Sequence, residues 1–153
     1  MTRLGFYGLI PFYVCAIALW LSPFILPQYI ALDFHQIALA YGAVIAAYLS
    51  GIGAGGHFHA SRKSRRSFLP SMLITLAAFF AIIPSGVFFM SIGAAWRHVI
   101  ILLILIYLYF RDMNGVREGA LPKWYGALRG QLTLFAGTAI FLIIARLTMW
   151  GYF

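Results

Sequence analysis

Acidic side chains are nearly missing from this chain: Asp33, Asp112 and Glu118 are the three in 153 residues. All three fall at expected helix ends or in expected loops. No ionisable group is therefore expected at mid-depth of an apolar span, where proton-coupled transport and pumping place one. Cysteine is scarcer still. The single Cys15 excludes an intramolecular disulfide, and its setting in an apolar run reads as a small packing residue. Charge of either sign is low, with Asp, Glu, Lys and Arg making up 9% of the chain where soluble domains carry about a quarter. That excludes an ordinary soluble domain. Catalytic constellations are lacking too. Intramembrane proteolysis needs an Asp pair, a Ser–His pair or a zinc motif, and Ser50 and His57 lie about two turns apart on one expected helix, out of reach of each other. No inverted repeat of interrupted helices is present, as many transporters have. The chain reads as a non-enzyme, with no cofactor and no metal.

What is present is apolar surface: 63% hydrophobic residues and a mean hydropathy of +0.93. The pattern predicts an all-α polytopic membrane protein, one integral-membrane domain over 1–153 with five transmembrane helices at about 6–26, 36–56, 68–84, 92–110 and 131–150. The first stretch follows Arg3 as a signal peptide would. Its apolar run is too long for an h-region and ends in no small-x-small cleavage site, so a retained span is expected. Pro11 and Pro23 fall within it, as membrane helices tolerate.

The eleven basic residues flank these spans, so anionic lipid headgroups are expected as partners in place of nucleic acid. Setting the N-terminus, the 57–67 loop and the 111–130 loop on one side gathers nine of the eleven, leaving Arg97 and Arg146 opposite. The positive-inside rule then puts the N-terminus in the cytoplasm and the C-terminus outside, in a bacterial inner membrane in preference to a mitochondrial one. Arg62, Lys63, Arg65 and Arg66 form the most basic patch and are expected to contact headgroups. Trp124, Tyr125 and Arg129 read as an interfacial anchor. The pairs Arg111-Asp112 and Arg117-Glu118 read as solvated charges of small net worth.

The second span carries two stripes of small residues at helical spacing. One runs Ala38, Gly42, Ala46, Ser50, Ala54; the other runs Ala43, Ala47, Gly51, Gly55. Small side chains four apart let helix backbones approach closely within lipid, so this helix is expected to be the hub on which the others pack. Ser71, Thr75 and Ala78 are expected on the face of the third span turned to it, and Thr133 and Gly137 make a weaker small step in the fifth. The run Val99 to Phe110 is large and apolar all round, so part of it faces lipid or another protein. Gly51-Ile-Gly-Ala-Gly-Gly56 satisfies G-x-G-x-x-G, but it closes a membrane helix where a nucleotide site would follow a strand. His57 and His59 lack further ligands nearby and read as interfacial. His35 and His98 both fall near the outer end of a span, where two rings facing one cavity would be able to ligate a haem; interfacial hydrogen bonding is the plainer reading.

The order of motifs resembles a known family. Gly5-Phe-Tyr-Gly-Leu-Ile-Pro-Phe12 opens the first helix, Tyr41-Gly-Ala-Val-Ile leads into Leu49-Ser-Gly-Ile, and Leu121-Pro-Lys-Trp-Tyr125 is followed by Leu128-Arg129 and Leu132-Thr133. Together these resemble the family called domain of unknown function 3429, whose relatives include the mitochondrial transmembrane protein 69. The resemblance implies a small inner-membrane protein of five helices and no defined activity. One departure stands out: where the family's hub reads Gly-Gly-Ile-His-Trp-Gly, this chain has Ser50-Gly-Ile-Gly-Ala-Gly55. The family's His and Trp fall on Gly53 and Ala54, so no role of those side chains carries over.

The expected function is that of a non-catalytic accessory or assembly subunit of a larger membrane complex, respiratory or photosynthetic. Its partners would be lipids and other integral membrane proteins. A small transporter with its path beside Ser50, Ser71 and Thr75 is the alternative, and a haem- or quinone-associated protein the third.

Overall fold

The computed structural model describes residues 2–60, 68–83, 92–119 and 121–152. These are helical almost throughout, with no strand among the described residues. Six helices follow in order: α1 (Thr2–Tyr7), α2 (Ile10–Leu21), α3 (Gln28–Ala60), α4 (Phe68–Ile82), α5 (Ala94–Arg117) and α6 (Lys123–Met149).

Proline and glycine set most of the boundaries. The expected first span is two helices, because Pro11 lacks an N–H and so starts a helix where it cannot continue one. Between them, the amides of Gly8 and Leu9 turn back onto the carbonyls of Gly5 and Phe6 at 3.2 and 3.0 Å. α2 stops at Leu21, short of residue 26, since Ser22 precedes Pro23 and takes an extended conformation (ψ 143°). α5 ends on Gly119, whose φ of +76° few other residues adopt, and α6 closes in a Schellman motif at Gly151. In the latter, the Gly151 amide reaches the Thr148 carbonyl (3.0 Å) and the Tyr152 amide reaches that of Leu147 (3.1 Å).

Three helices outrun the spans read from hydropathy. α3 begins at Gln28, with Asp33 and His35 already helical; α5 continues through Arg111 and Asp112 to Arg117; α6 begins at Lys123. Nothing in these polar stretches breaks a helix, so the ladder runs on after the apolar residues stop. Gln28–Ile52, Ala94–Arg117 and Lys123–Met149 are long and apolar enough to cross a membrane, whereas Gly5–Leu21 and Leu69–Ile82 are shorter apolar helices.

Side-chain contacts fix the directions. His35 meets His98 and Leu49 meets Arg111, so α3 and α5 run parallel. Ser71 meets Ser50 while Ala81 meets Arg97, so α4 runs against both. Tyr13 meets Thr138 and Leu19 meets Arg146, setting α2 parallel to α6. Residues 5–9, 49–60, 68–71, 108–119 and 121–129 thus share one end of the bundle, and 22–35, 81–83, 92–98 and 146–152 the other.

Between the ends lies an apolar middle of Phe12, Leu39, Ala43, Ala46, Ala78, Ile101, Leu105, Leu108, Ala139 and Ile140. Gly42 is the tightest point: a Cβ there would stand 2.8 Å from Ile101 Cγ2 and 3.6 Å from the Phe12 ring. On α3 the stripe Ala38, Gly42, Ala46, Ser50 is buried, and Ala54 is half-buried. The second stripe winds outward instead, from buried Ala43 through half-buried Ala47 to exposed Gly51 and Gly55. A Cβ at either glycine would meet nothing among the described residues. Among the described residues they pack against nothing, because they turn to the outer face of α3 while Ser50 beside Gly51 still meets α4. On α4 the inward face is Ser71, Ile74, Ala78 and Ala81; Thr75 points out, one position off the expected face.

Candidate functional site

Buried polar side chains collect at the two ends and leave the middle apolar. At the end holding the α5–α6 turn, Ser50 and Ser71 staple α3 to α4 reciprocally. The Ser50 hydroxyl donates to the Ser71 carbonyl (2.9 Å), and the Ser71 hydroxyl to the Ser50 carbonyl (3.3 Å). Arg111 of α5 reaches across both, donating to Ser71 Oγ (2.9 Å) and to the carbonyls of Leu49 (3.2 Å) and Ser50 (3.3 Å). One position on, Asp112 is 2% exposed and accepts Arg129 Nε at 2.9 Å and the Tyr125 hydroxyl at 3.2 Å. Arg111 stands 3.8 Å from the other Asp112 oxygen.

Two expectations are corrected here. Arg111-Asp112 is not a solvated surface pair, and Arg129, 5% exposed, is not an interfacial anchor. The α5–α6 hairpin folds Arg129 onto Asp112, and each satisfies a charge that would be costly to bury alone. Tyr125 is half-buried in the same cluster, and only Trp124 of the expected anchor faces outward. Arg62, Lys63, Arg65 and Arg66 lie outside the described residues, as do the side chains of His57 and His59.

Beside this cluster is a cavity of about 280 Å³ between α1, α2, α3, α5 and α6. Its wall is apolar apart from Tyr41, Tyr48, Arg129 and Thr133. Tyr41 donates its hydroxyl to the Gly8 carbonyl at 2.7 Å, holding the α1–α2 turn to α3. Arg129 Nη2 and Thr133 Oγ1 are buried and have no hydrogen-bond partner among the described residues. An unmet buried donor costs about 1–3 kcal/mol, more when it is charged.

The opposite end uses its cations differently. Arg97 donates through Nε to the Ala81 carbonyl (2.8 Å) and through Nη2 to that of Ile82, the last carbonyls of α4. Arg146 donates to the carbonyls of Leu19 and Ser22 where α2 ends, and packs over the rings of Trp20 and Trp150 at 5.5 and 4.6 Å. Both arginines meet orphan helix-end carbonyls, whose partial negative charge suits a cation. Neither role was read from the sequence. The available signal was position: each arginine sits where its helix passes the end of a short neighbour.

His35 and His98 do come together. Both are buried, their ring centroids are 5.7 Å apart, and the planes are tilted by 35°. His35 Nδ1 pairs with the Leu32 carbonyl and His98 Nδ1 with that of Ala94 (3.0 Å), while His98 Nε2 has no partner among the described residues. Neither ring lines the cavity beside Arg129, the one at Asp33 and Arg97, or the groove described next. Among the described residues no three His, Cys, Asp or Glu side chains converge as metal ligands would.

On the outer face of α5 and α6 runs a groove of about 660 Å³, lined by Leu102, Ile106, Tyr109, Gly130, Gly137 and Phe141 among others. A Cβ at Gly130 would sit 3.7 Å from Tyr109, and one at Gly137 would sit 3.6 Å from Leu102. Both are ordinary contacts, so internal packing does not require these glycines; their effect is to deepen the groove.

The architecture is that of an all-α protein with three helices long and apolar enough to cross a membrane, braced by buried polar clusters at both ends. The chain belongs to the family described as "Protein of unknown function (DUF3429)", which matches residues 1–145. No curated protein and no solved structure matches the chain.

Proposed function

We propose that this chain is a non-catalytic integral membrane protein of five spans, and that it serves as an accessory or assembly subunit packed against a larger membrane complex. The observation that carries this reading is the α5–α6 groove, apolar and floored by Gly130 and Gly137. Within lipid, helices associate through such small-residue surfaces because no hydrophobic drive separates a helix from the acyl chains. The wide outer surface agrees with lipid contact: Phe24, Leu69, Met72, Leu103, Phe110 and Phe141 are all exposed. The apolar middle argues against a solute path, since among the described residues no chain of polar groups links the two ends. The proposed setting is a bacterial inner membrane, with the α5–α6 turn cytoplasmic and the C-terminus outside. Exposed Arg117 and Lys123 then lie on the basic side.

The test is native electrophoresis after mild solubilisation, for the wild type and for Gly130→Leu with Gly137→Leu. A companion protein held by the wild type and released when leucines fill the groove is the expected result. A wild type that migrates as a bare monomer overturns the proposal.

A further inference from the structure

The geometry points to the cavity beside Arg129 as a binding site for an oxyanion-headed amphiphile, a carboxylate or phosphate carried on a hydrocarbon chain. Three observations converge there. Arg129 and Thr133 stand one helical turn apart on α6, both line the cavity, and both carry buried donors with no partner among the described residues. Two N–H groups and one O–H on one face match the two or three oxygens of an acidic head. Charge agrees as well. Among the described residues the groups meeting in this cluster are Arg111, Asp112, Tyr125 and Arg129, two cations against one carboxylate, so the cluster holds one positive charge in excess. Asp112 is already occupied by Arg129 Nε and the Tyr125 hydroxyl, leaving Arg129 Nη2 for a second acceptor.

The remaining wall fits a hydrocarbon tail. Leu9, Phe12, Ile45, Leu105, Leu132 and Ala136 line it. Gly5 and Gly8 thin the α1 side, and Tyr48, which is 69% exposed, marks where the cavity meets the exterior. At about 280 Å³ it lies below the range of drug-sized sites, so it holds a head and the first part of a chain, with the rest leaving between α1 and α3. A neutral head would leave the excess charge unanswered.

Binding is measured by native mass spectrometry of the full chain in a neutral maltoside detergent. The probes are oleate, oleoyl-lysophosphatidylglycerol, oleyl alcohol and menadione, the last a neutral quinone. Oleate or the lysophospholipid is expected to bind at least tenfold more tightly than oleyl alcohol and menadione, and the tighter of the two names the head. Thr133→Val keeps the shape of the wall and removes one donor, so a fivefold or greater loss of the acidic probe is expected. Asp112→Asn with Arg129→Gln removes both charges without stranding either, and should abolish the preference for oleate over oleyl alcohol. Equal binding of acid and alcohol by the wild type, tighter binding of menadione, or a Thr133→Val protein of native helicity that retains full oleate affinity would each overturn the site.

Discussion

Replacing Asp112 with alanine separates a buried ion pair from a surface one. Asp112 is 2% exposed, and the Arg129 side chain, 2.9 Å away, is 6% exposed. Removing the carboxylate leaves the guanidinium buried without its counter-charge, a change that costs about 3–5 kcal/mol where such pairs are broken one-sidedly. The Tyr125 hydroxyl loses its acceptor in the same step. Taken alone, Tyr125→Phe should cost about 1.5 kcal/mol, the low end for a hydrogen bond to a charged group given its 3.2 Å length. Arg111 adds little, because it lies 3.8 Å off and already donates to Ser71 and two carbonyls.

The double change Asp112→Asn with Arg129→Gln removes both charges and leaves an amide pair in their place. It should cost about 1 kcal/mol, the scale of a neutral hydrogen bond, and so less than either single removal. The expected coupling between the two sites is therefore at least about 2 kcal/mol. Unfolding in mixed micelles by titration with dodecyl sulfate, followed by far-ultraviolet circular dichroism, measures the wild type, Asp112→Asn, Arg129→Gln and their double for the coupling, with Asp112→Ala and Tyr125→Phe alongside. A loss below about 1 kcal/mol for Asp112→Ala is the value of an exposed pair and would refute the burial argument. So would a double variant whose loss equals the sum of the singles.

Three further outcomes follow from particular contacts. Gly42→Ala forces a methyl to 2.8 Å from Ile101 Cγ2 and should cost about 1–3 kcal/mol, whereas Gly51→Ala, facing open space, should gain up to about 1 kcal/mol in the same titration. Arg97→Met strands the carbonyls of Ala81 and Ile82 and should cost about 1–3 kcal/mol, with faster hydrogen exchange confined to the last turn of α4; unchanged exchange there would remove its capping role. In intact cells, Gln28→Cys should react with an impermeant maleimide and Glu118→Cys only after permeabilisation, buried Cys15 staying silent in both; the reverse pattern would invert the proposed orientation.

Hydropathy was enough to find the helices and not enough to end them. Asp33, His35 and Asp112 are polar, so an apolar-window reading puts them in loops, yet none of them breaks a helix and the ladder passes straight through. The stops came from residues with a steric reason: Ser22 before Pro23, Gly119 and Gly151. The small-residue stripe through Ala38, Gly42, Ala46 and Ser50 was legible because period and residue size both point to close packing. The stripe ending in Gly51 and Gly55 shared the period but turns outward, away from every described neighbour. The ion pair was hidden by sequence distance, although a trace of it existed. Asp112 and Arg129 stand at matching distances on either side of the turn around Gly119 and Pro122, and an antiparallel hairpin brings such positions together. Reading each charge beside its sequence neighbour, Arg111 with Asp112, picked the weaker pairing at 3.8 Å over the 2.9 Å one.

The placing of arginine follows from the two short helices. α2 has 12 residues and α4 has 15, so they rise only ~18 and ~22 Å against a hydrocarbon core of ~30 Å. On the five-span reading their terminal carbonyls stop within lipid depth, where no water is at hand to satisfy them. Arg146 from α6 and Arg97 from α5 supply those donors, and both come from helices long enough to pass the shortfall. These two cations therefore do not count against the charge bias that sets the proposed orientation, because their guanidinium groups are taken up by backbone inside the bundle. If that is their role, Arg97→Met should damage the end of α4 without altering which face Glu118→Cys presents. A variant that flipped the labelling pattern would mean that Arg97 acts as a topology charge after all.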